Sequence, residues 1–533
     1  MSLDAAALQV LIARLSGVAE EMGAVLRRAA YSPNIKERAD CSAAVFDASG
    51  ALLAQAEHIP VHLGSMPASV AAVVDAFGAS LGPGEQAVVN DPYEGGTHLN
   101  DITVVAPCWV DGRLVGWVAN RAHHADVGGD APGSMPADAT HIDQEGLRLS
   151  PTRLTPEVRA AVLSASRTPD ERAGDLDAQV GANVVGVARL AERAHEPLDE
   201  VLDHGERRVR AAVAALPDGV WTVADVLDSF GPAPHQQVPV RVACTVTVAG
   251  DRITFDLSDS DDQVVGNTNA VRAVTVSSVL FALKAVVDPG LPSNSGVDRA
   301  VQVVTRPGSV VDAVYPSAVG AGNVEVSQRV AEVAARALSG AAPDRVAAAS
   351  QGTMNNVLIG SEDGDTDPDG NGAWVYYETL AGGQGGRPAV PGAADAVPLA
   401  GMSGVHTGMT NTLNTPVEAL ERSYPMRVRA LRLRRGSGGA GAAPGGEGIE
   451  REVELLCAAT VSLITERRQS APWGTSGGGD GGVGVNQLLP GGDEAAVVDL
   501  PDKVTFAAQA GDVVRIWTPG GGGWGPAADG ATG

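Results

Sequence analysis

Lysine is scarce in this sequence. Only Lys36, Lys284 and Lys503 occur among 533 residues, so amine chemistry has few places to happen. Aromatic residues make up 4% of the chain, and the four cysteines, Cys41, Cys108, Cys244 and Cys457, lie far apart with no C-x-x-C pair. That spacing excludes a disulfide framework and points to a reduced, cytosolic protein. No G-x-x-x-x-G-K-[ST] loop is present to cradle a nucleotide phosphate. The longest apolar stretch, residues 274–287, is too short for a bilayer and contains Lys284. The start, MSLDAAALQV, lacks the basic and apolar segments of a signal peptide, so a soluble protein away from membranes is expected. Positive charge is also short, with 38 Lys and Arg against 64 Asp and Glu and a net charge of −26. A chain so acidic repels phosphate, which argues against nucleic acid and anionic lipid as partners.

The sequence is instead rich in apolar residues, at 44%, and in Gly (66) and Pro (33). It has enough apolar side chain for several cores and too many breakers for a helical bundle. Leu8, Leu11, Ile12, Leu15, Val18, Met22, Val25 and Leu26 recur at three- and four-residue steps, which predicts an amphipathic helix over 4–30. Residues 40–55 read as two short strands joined around Ala48-Ser49-Gly50. A helix is expected over 66–80, a helical segment over 154–215, and apolar helices near 271–287 and 324–339. After about residue 430, glycine clusters alternate with strand-like runs. The expected class is α+β: a large mixed multi-domain fold with a metal-bearing N-terminal β-hairpin region and a Gly-rich, β-rich C-terminal region. The expected divisions are 1–150 for the metal-site region, 151–218 helical, 219–430 mixed α/β, 431–526 Gly-rich β, and a disordered tail at 527–533.

Six of the ten histidines, His58, His62, His98, His123, His124 and His141, fall within 84 residues that also hold Asp91, Asp101, Asp126, Asp130 and Glu145. Imidazole with carboxylate suits Zn²⁺, Mn²⁺ or Fe²⁺, and the lack of paired cysteines favours an open catalytic site over a closed structural one. Asp111-Gly112 is a strong hairpin turn. A two-residue turn there pairs each position i with 223 − i, so His123 faces Asn100. His98 then lies diagonally about 7 Å from His123, with Asp101 and His124 on the other face. Pro107 marks a place where a bulge would change that register. His58 and His62, in AEHIPVHLGS, either line the same cleft or serve structure.

The blocks NDPYEGGTHLNDITVVAP, NRAHHADVGGDAPGSMP with the following QEGLRL, GDLDAQVGAN, LPSNSGVDRAVQVV, SAVGAGNVEVSQR and TPGGGGWGP resemble the hydantoinase B/oxoprolinase family, over about residues 5–526. The resemblance implies an ATP-dependent amidohydrolase that opens cyclic amides, with a hydantoinase A-type partner subunit binding ATP and Mg²⁺ and phosphorylating an unreactive carbonyl. It implies a divalent metal, Zn²⁺ or Mn²⁺, held by Asp40, His98, Asp101 and His123, and a hetero-oligomer with two copies of each chain. His124, Asp126 and Glu145 remain as acid–base candidates. The same family includes acetone and acetophenone carboxylase subunits, so a ketone carboxylase subunit and a non-catalytic architectural subunit stand as alternatives. Cys41 and Asn100 depart from the family pattern without removing a ligand.

Other signals are weaker. GGGDGG at 477–482 follows no strand, so it reads as loop glycine. Asp259, Asp261 and Asp262 lack the EF-hand pattern and read as a solvated turn. Cys108 reads as a buried small hydrophobe.

Overall fold

The N-terminal stripe forms the helix Ala5–Ala29, capped by Asp4, whose carboxylate accepts the Ala7 N–H at 2.8 Å. A computed structural model describes residues 3–57, 59–361, 372–390 and 397–527; His58 and the tail from 528 lie outside the described residues. Leu8, Leu11, Leu15, Val18 and Met22 pack on the helix Pro169–Ala191 and on a six-stranded sheet. Its strands are β1 (Cys41–Asp47), β2 (Leu52–Glu57), β3 (Ala87–Val89), β4 (Asp101–Val110), β5 (Arg113–His123) and β6 (Thr152–Arg153), in the order β2–β1–β5–β4–β3–β6. Every pairing is antiparallel. Alternate residues feed two cores. Ala43, Val45, Ala106, Cys108 and Val118 meet the long helices, while Ala44, Phe46, Val105, Trp117 and Ala119 meet Met66, Val70 and Val73 of the helix Met66–Phe77. Burial on both faces explains why β4 reads as a continuous apolar run. Among the described residues one helical run, Pro60–Ser80, is long and apolar enough to span a membrane, and 44% of its apolar window is buried in the fold.

The predicted helical segment resolves into Pro156–Ala165, Pro169–Ala191 and Asp199–Ala214. A second sheet follows, with β7 (Gly219–Leu227), β8 (Val240–Ala249), β9 (Arg252–Asp256) and β10 (Val301–Val304) in the order β10–β9–β8–β7. Helices Arg272–Val286 and Ser327–Leu338 share its core. The latter is entered through a π turn, Gly322–Val326, a local distortion that recurs at functional sites.

Two further sheets follow among the described residues. One contains β11 (Asn356–Gly360), β12 (Val375–Thr379), β15 (Ala459–Ile464) and β18 (Lys503–Ala508), ordered β12–β11–β15–β18. The other contains β13 (Met426–Leu433), β14 (Ile449–Leu455), β16 (Val485–Leu489), β17 (Val498–Leu500) and β19 (Val513–Trp517), ordered β13–β14–β19–β16–β17. The glycine tracts have a packing reason. Segments near 438–446, 474–482 and 520–523 lie backbone against backbone, with Gly439 N–H donating to Gly521 O, Gly479 to Ala440 and Gly523 to Gly479 at 2.7–2.8 Å. A Cβ on Gly520 would lie 1.9 Å from the Ser437 carbonyl, so no other residue fits there.

Candidate metal centre

The hairpin β4–β5 turns at Asp111-Gly112, both with positive φ (49° and 75°), the conformation a two-residue primed turn requires. Val110 pairs with Arg113 and Trp109 with Leu114, following the 223 − i rule. A bulge between Cys108 and Trp109 then shifts the register by one, so Cys108 faces Gly116 and Asp101 faces His123. This corrects the expected ideal register, in which Asn100 faced His123. Asp101 and His123 therefore share a face, and His124, whose backbone N–H donates to the Asn100 carbonyl at 2.8 Å, turns its ring to the other, toward Gln179. A turn closed by the Asp101 N–H on the His98 carbonyl, at 3.1 Å, folds the His98 ring back over Asp101.

Three donor atoms converge. His98 Nε2 lies 3.0 Å from Asp101 Oδ1, His123 Nδ1 lies 3.3 Å from the same oxygen, and the two ring nitrogens are 3.2 Å apart. The second oxygen of Asp101 is anchored separately, accepting from Thr97 Oγ1 at 2.7 Å and Asn323 Nδ2 at 3.4 Å, with His62 Nε2 at 3.3 Å. His62 is held in turn by Ser42 Oγ at 3.1 Å. One oxygen is thus committed to the protein and the other faces two imidazoles. Ligands about 2.0–2.2 Å from a shared ion stand roughly 3–3.5 Å from one another, so the triangle has the dimensions of a coordination face. His98, Asp101 and His123 form a set whose donor atoms all lie within 4.8 Å of one another. His98 Nδ1 and His123 Nε2, the other ring nitrogens, are buried without a protein hydrogen-bond partner. An all-imidazole and carboxylate donor set fits Zn²⁺ or Mn²⁺.

The electrostatics suit ligation. Burial pushes His123 down to about 3 and also lowers His62, which keeps these rings in the neutral form that binds metals. Burial alone would raise Asp101, but His98, His62 and the His123 contact overrule it and hold this carboxyl well below its ordinary range. Asp40, just ahead of β1, is buried beside the cluster. Its carbonyl accepts the His123 N–H at 3.1 Å, and burial, with Asp101 nearby, pushes its carboxyl up to about 7. It stands outside the set of three.

The acid–base candidates occupy different places. His124 Nε2 lies 2.9 Å from Gln179 Oε1, away from Asp101's free oxygen, and burial lowers it to about 4. Asp126 is engaged by the backbone N–H groups of Gly128, Gly133 and Arg167 and by the Arg167 guanidinium. Glu145 accepts from the backbone N–H groups of Val319 (3.1 Å) and Gly320 (2.8 Å); burial raises it to about 7 against the opposing pull of those hydrogen bonds and, less, of His98. His141 sits apart, half-exposed beside Tyr315. The sequence reading missed Thr97 and Asn323. Thr97 directly precedes His98, and Asn323 lies in SAVGAGNVEVSQR, one of the blocks that carry the resemblance.

An α+β protein whose described residues form four sheets, with a buried imidazole–carboxylate cluster at the end of one hairpin, defines the class. Residues 4–527 match hydantoinase B/oxoprolinase, and the chain belongs to that family. An uncharacterised protein of Methanocaldococcus jannaschii is 38% identical, over 98% of this chain and 91% of its own length. The 5-oxoprolinase of Dictyostelium discoideum is 34% identical over 98% of this chain, which spans only 40% of that protein. The ATP-dependent caprolactamase of Pseudomonas jessenii superposes with a TM-score of 0.88 at 26% identity, covering 99% of this chain and 92% of that one. Acetone carboxylase, at 18% identity and a TM-score of 0.83, shares the fold.

Proposed function

We propose that this chain is the metal-dependent component of an ATP-dependent cyclic amidase, acting on an amide that a hydantoinase A-type partner has activated with ATP and Mg²⁺. The observation that carries the reading is the convergence of His98, Asp101 and His123 on one face of a fully buried hairpin end. Relatives named 5-oxoprolinase and ATP-dependent caprolactamase support the reaction class. Asp40, His98, Asp101 and His123 would hold the divalent ion, Zn²⁺ or Mn²⁺. Such an ion supplies Lewis acidity toward a carbonyl oxygen and makes water a stronger acid.

The chain's own residues do the rest. Thr97, His62 and Asn323 fix one oxygen of Asp101 so that the other points inward. Burial of the cluster excludes bulk water and strengthens its electrostatics. Glu145, raised to about 7 by burial, is the acid–base candidate whose carboxyl can carry a proton near neutrality and hand it to the departing ring nitrogen; like Asp126 it is held by backbone N–H groups, here those of Val319 and Gly320. The working assembly is a cytoplasmic hetero-oligomer with two copies of each chain.

Metal analysis of wild type and His98→Ala, alongside ATP-dependent turnover of a panel of cyclic amides with the partner, tests the reading. Equal occupancy in both proteins would sink it. Incorporation of labelled bicarbonate into a ketone would replace hydrolysis by carboxylation, and full turnover in the double variant His98→Ala/Asp101→Ala would reduce the chain to an architectural role.

A further inference from the structure

Tyr377 belongs to β12, in the C-terminal half of the chain, yet its ring lies on His123. The ring centroids are 4.5 Å apart and the planes 17° from parallel. Tyr377 is 5% exposed, so the contact is dry. Its hydroxyl donates to Asn356 Oδ1 at 3.0 Å, and Asn356 Nδ2 donates to Glu325 Oε1 at 3.0 Å and the Ile464 carbonyl at 3.1 Å. Over this ring stands Arg38, its guanidinium carbon 4.9 Å from the ring centroid. Arg38 also donates to the Tyr377 carbonyl and, at 2.7 Å, to Asn34 Oδ1. Asn34 Nδ2 completes the circuit by donating to the His123 carbonyl at 2.7 Å.

The backbone and the ring of His123 are therefore both held by groups that meet at Tyr377. A strand residue's imidazole keeps a broad freedom about its second side-chain torsion. Turning that torsion swings Nδ1 away from Asp101 Oδ1, and a face-stacked neighbour that is itself pinned at its hydroxyl opposes the turn. We propose that Tyr377 is a positioning residue that fixes the plane of His123, so that the C-terminal sheet sets the geometry of a site whose ligands all lie near the N-terminus. The inference rests on the reading of His98, Asp101 and His123 as metal ligands. It assigns to Tyr377 no contact with reacting atoms; the face of the ring carries the role and the hydroxyl only anchors it.

Cobalt(II) is the probe, because its visible absorption reports coordination geometry without turnover. Chelator-treated full-length wild type, Tyr377→Phe, Tyr377→Ile and His98→Ala are titrated with Co²⁺. Tyr377→Phe keeps the ring and is expected to bind within about twofold of wild type, with the same spectrum. Tyr377→Ile removes the ring and is expected to bind on the order of tenfold more weakly, the loss typical of groups that orient a ligand, with a shifted spectrum. Wild-type binding and spectrum in Tyr377→Ile overturn the proposal, and so does an equal loss in both variants, which would place the effect in the hydroxyl. Should Tyr377→Ile fail to fold by circular dichroism, the ring-current shift of the His123 protons in histidine-labelled wild type decides: an upfield displacement kept in Tyr377→Phe supports the stack, and its absence overturns it. Failure of the metal reading looks different, since wild type and His98→Ala would then both leave Co²⁺ unbound.

Discussion

Around Lys503, buried cations face buried carboxylates. The ammonium donates to Glu466 Oε1 at 2.5 Å and Asp502 Oδ2 at 2.8 Å, Arg467 reaches Asp225 at 2.8 Å, and Arg329 reaches both Asp225 and Glu332 at 3.0 Å. These groups come from β7, the helix Ser327–Leu338, the segment after β15 and the start of β18, so they join the second sheet to the third. Around Asp101 the composition is inverted: one carboxylate meets three imidazoles, with no lysine or arginine bonded to it among the described residues. Both clusters have buried centres, Lys503, Glu466 and Asp502 in one and Asp101, His62, His98 and His123 in the other. Burial alone therefore says little about purpose. A cluster whose opposite charges meet inside the protein has little to gain from an added cation, whereas a carboxylate oxygen and two ring nitrogens aimed at one another gain a great deal.

The largest test of that contrast is Lys503→Met. It leaves Asp502 buried without its cation and Glu466 with only Arg329, at 3.7 Å, among the described residues, and breaking a buried pair from one side costs about 3–5 kcal/mol. Urea unfolding should show that loss, while Co²⁺ binding by the folded variant stays as in wild type. An unchanged denaturation midpoint would show that the Lys503 cluster does not hold the sheets together.

Metal supplies the next effect in size. Zn²⁺ or Mn²⁺ at about a hundred times its dissociation constant should stabilise the wild type by about 2.7 kcal/mol, because only the folded chain presents the site. Asp101→Asn keeps the shape of the side chain and removes its charge, and should show no metal-dependent rise in melting temperature. A rise in that variant equal to wild type would move the ion elsewhere.

How much of this was legible before the structure follows from how local each signal is. The stripe of Leu8, Leu11 and Leu15, the Asp111-Gly112 turn and the glycine clusters write their structures into neighbouring residues, and the mixed α+β architecture came with them. The one-residue slip between Cys108 and Trp109 did not. Pro107 flagged the place, but the register is set by which side chains the two packed faces accept. Strand alternation allows only one histidine of the His123-His124 pair to face Asp101, and that slip decides which. Asn323 reaches Asp101 from 222 positions away and Tyr377 arrives from another sheet, and no periodicity announces such partners.

A smaller, pH-dependent effect separates the clusters further. Glu325 borders the Lys503 cluster and, among the described residues, has no ion pair of its own. Burial, with Glu466 nearby, raises its carboxyl well above the ordinary 4.5. The folded chain then keeps a proton that the unfolded chain releases, so stability falls as pH climbs above about 4.5, until the folded carboxyl itself ionises. One such group contributes a slope of at most about 1.4 kcal/mol per pH unit. Glu325→Gln preserves the acceptor used by Thr353 Oγ1 and Asn356 Nδ2 and removes the proton, so unfolding free energies measured between pH 5 and 8 should decline less steeply. An unaltered slope would assign the dependence to another buried acid.

The smallest effect belongs to an exposed ion pair of the same chemistry. Arg432 Nε and Glu450 Oε2 are 2.6 Å apart across β13 and β14, about as close as Lys503 and Glu466, but the arginine side chain is 66% exposed. Water solvates the arginine and still reaches the Glu450 side chain, which is 17% exposed, so removing the arginine leaves a partner that water can hydrate. Arg432→Gln should cost under about 1 kcal/mol in urea unfolding, and less still at high salt. A cost matching that of Lys503→Met would mean that contact distance, and not burial, sets the strength of these pairs, and the contrast between the two interior clusters would lose its physical basis.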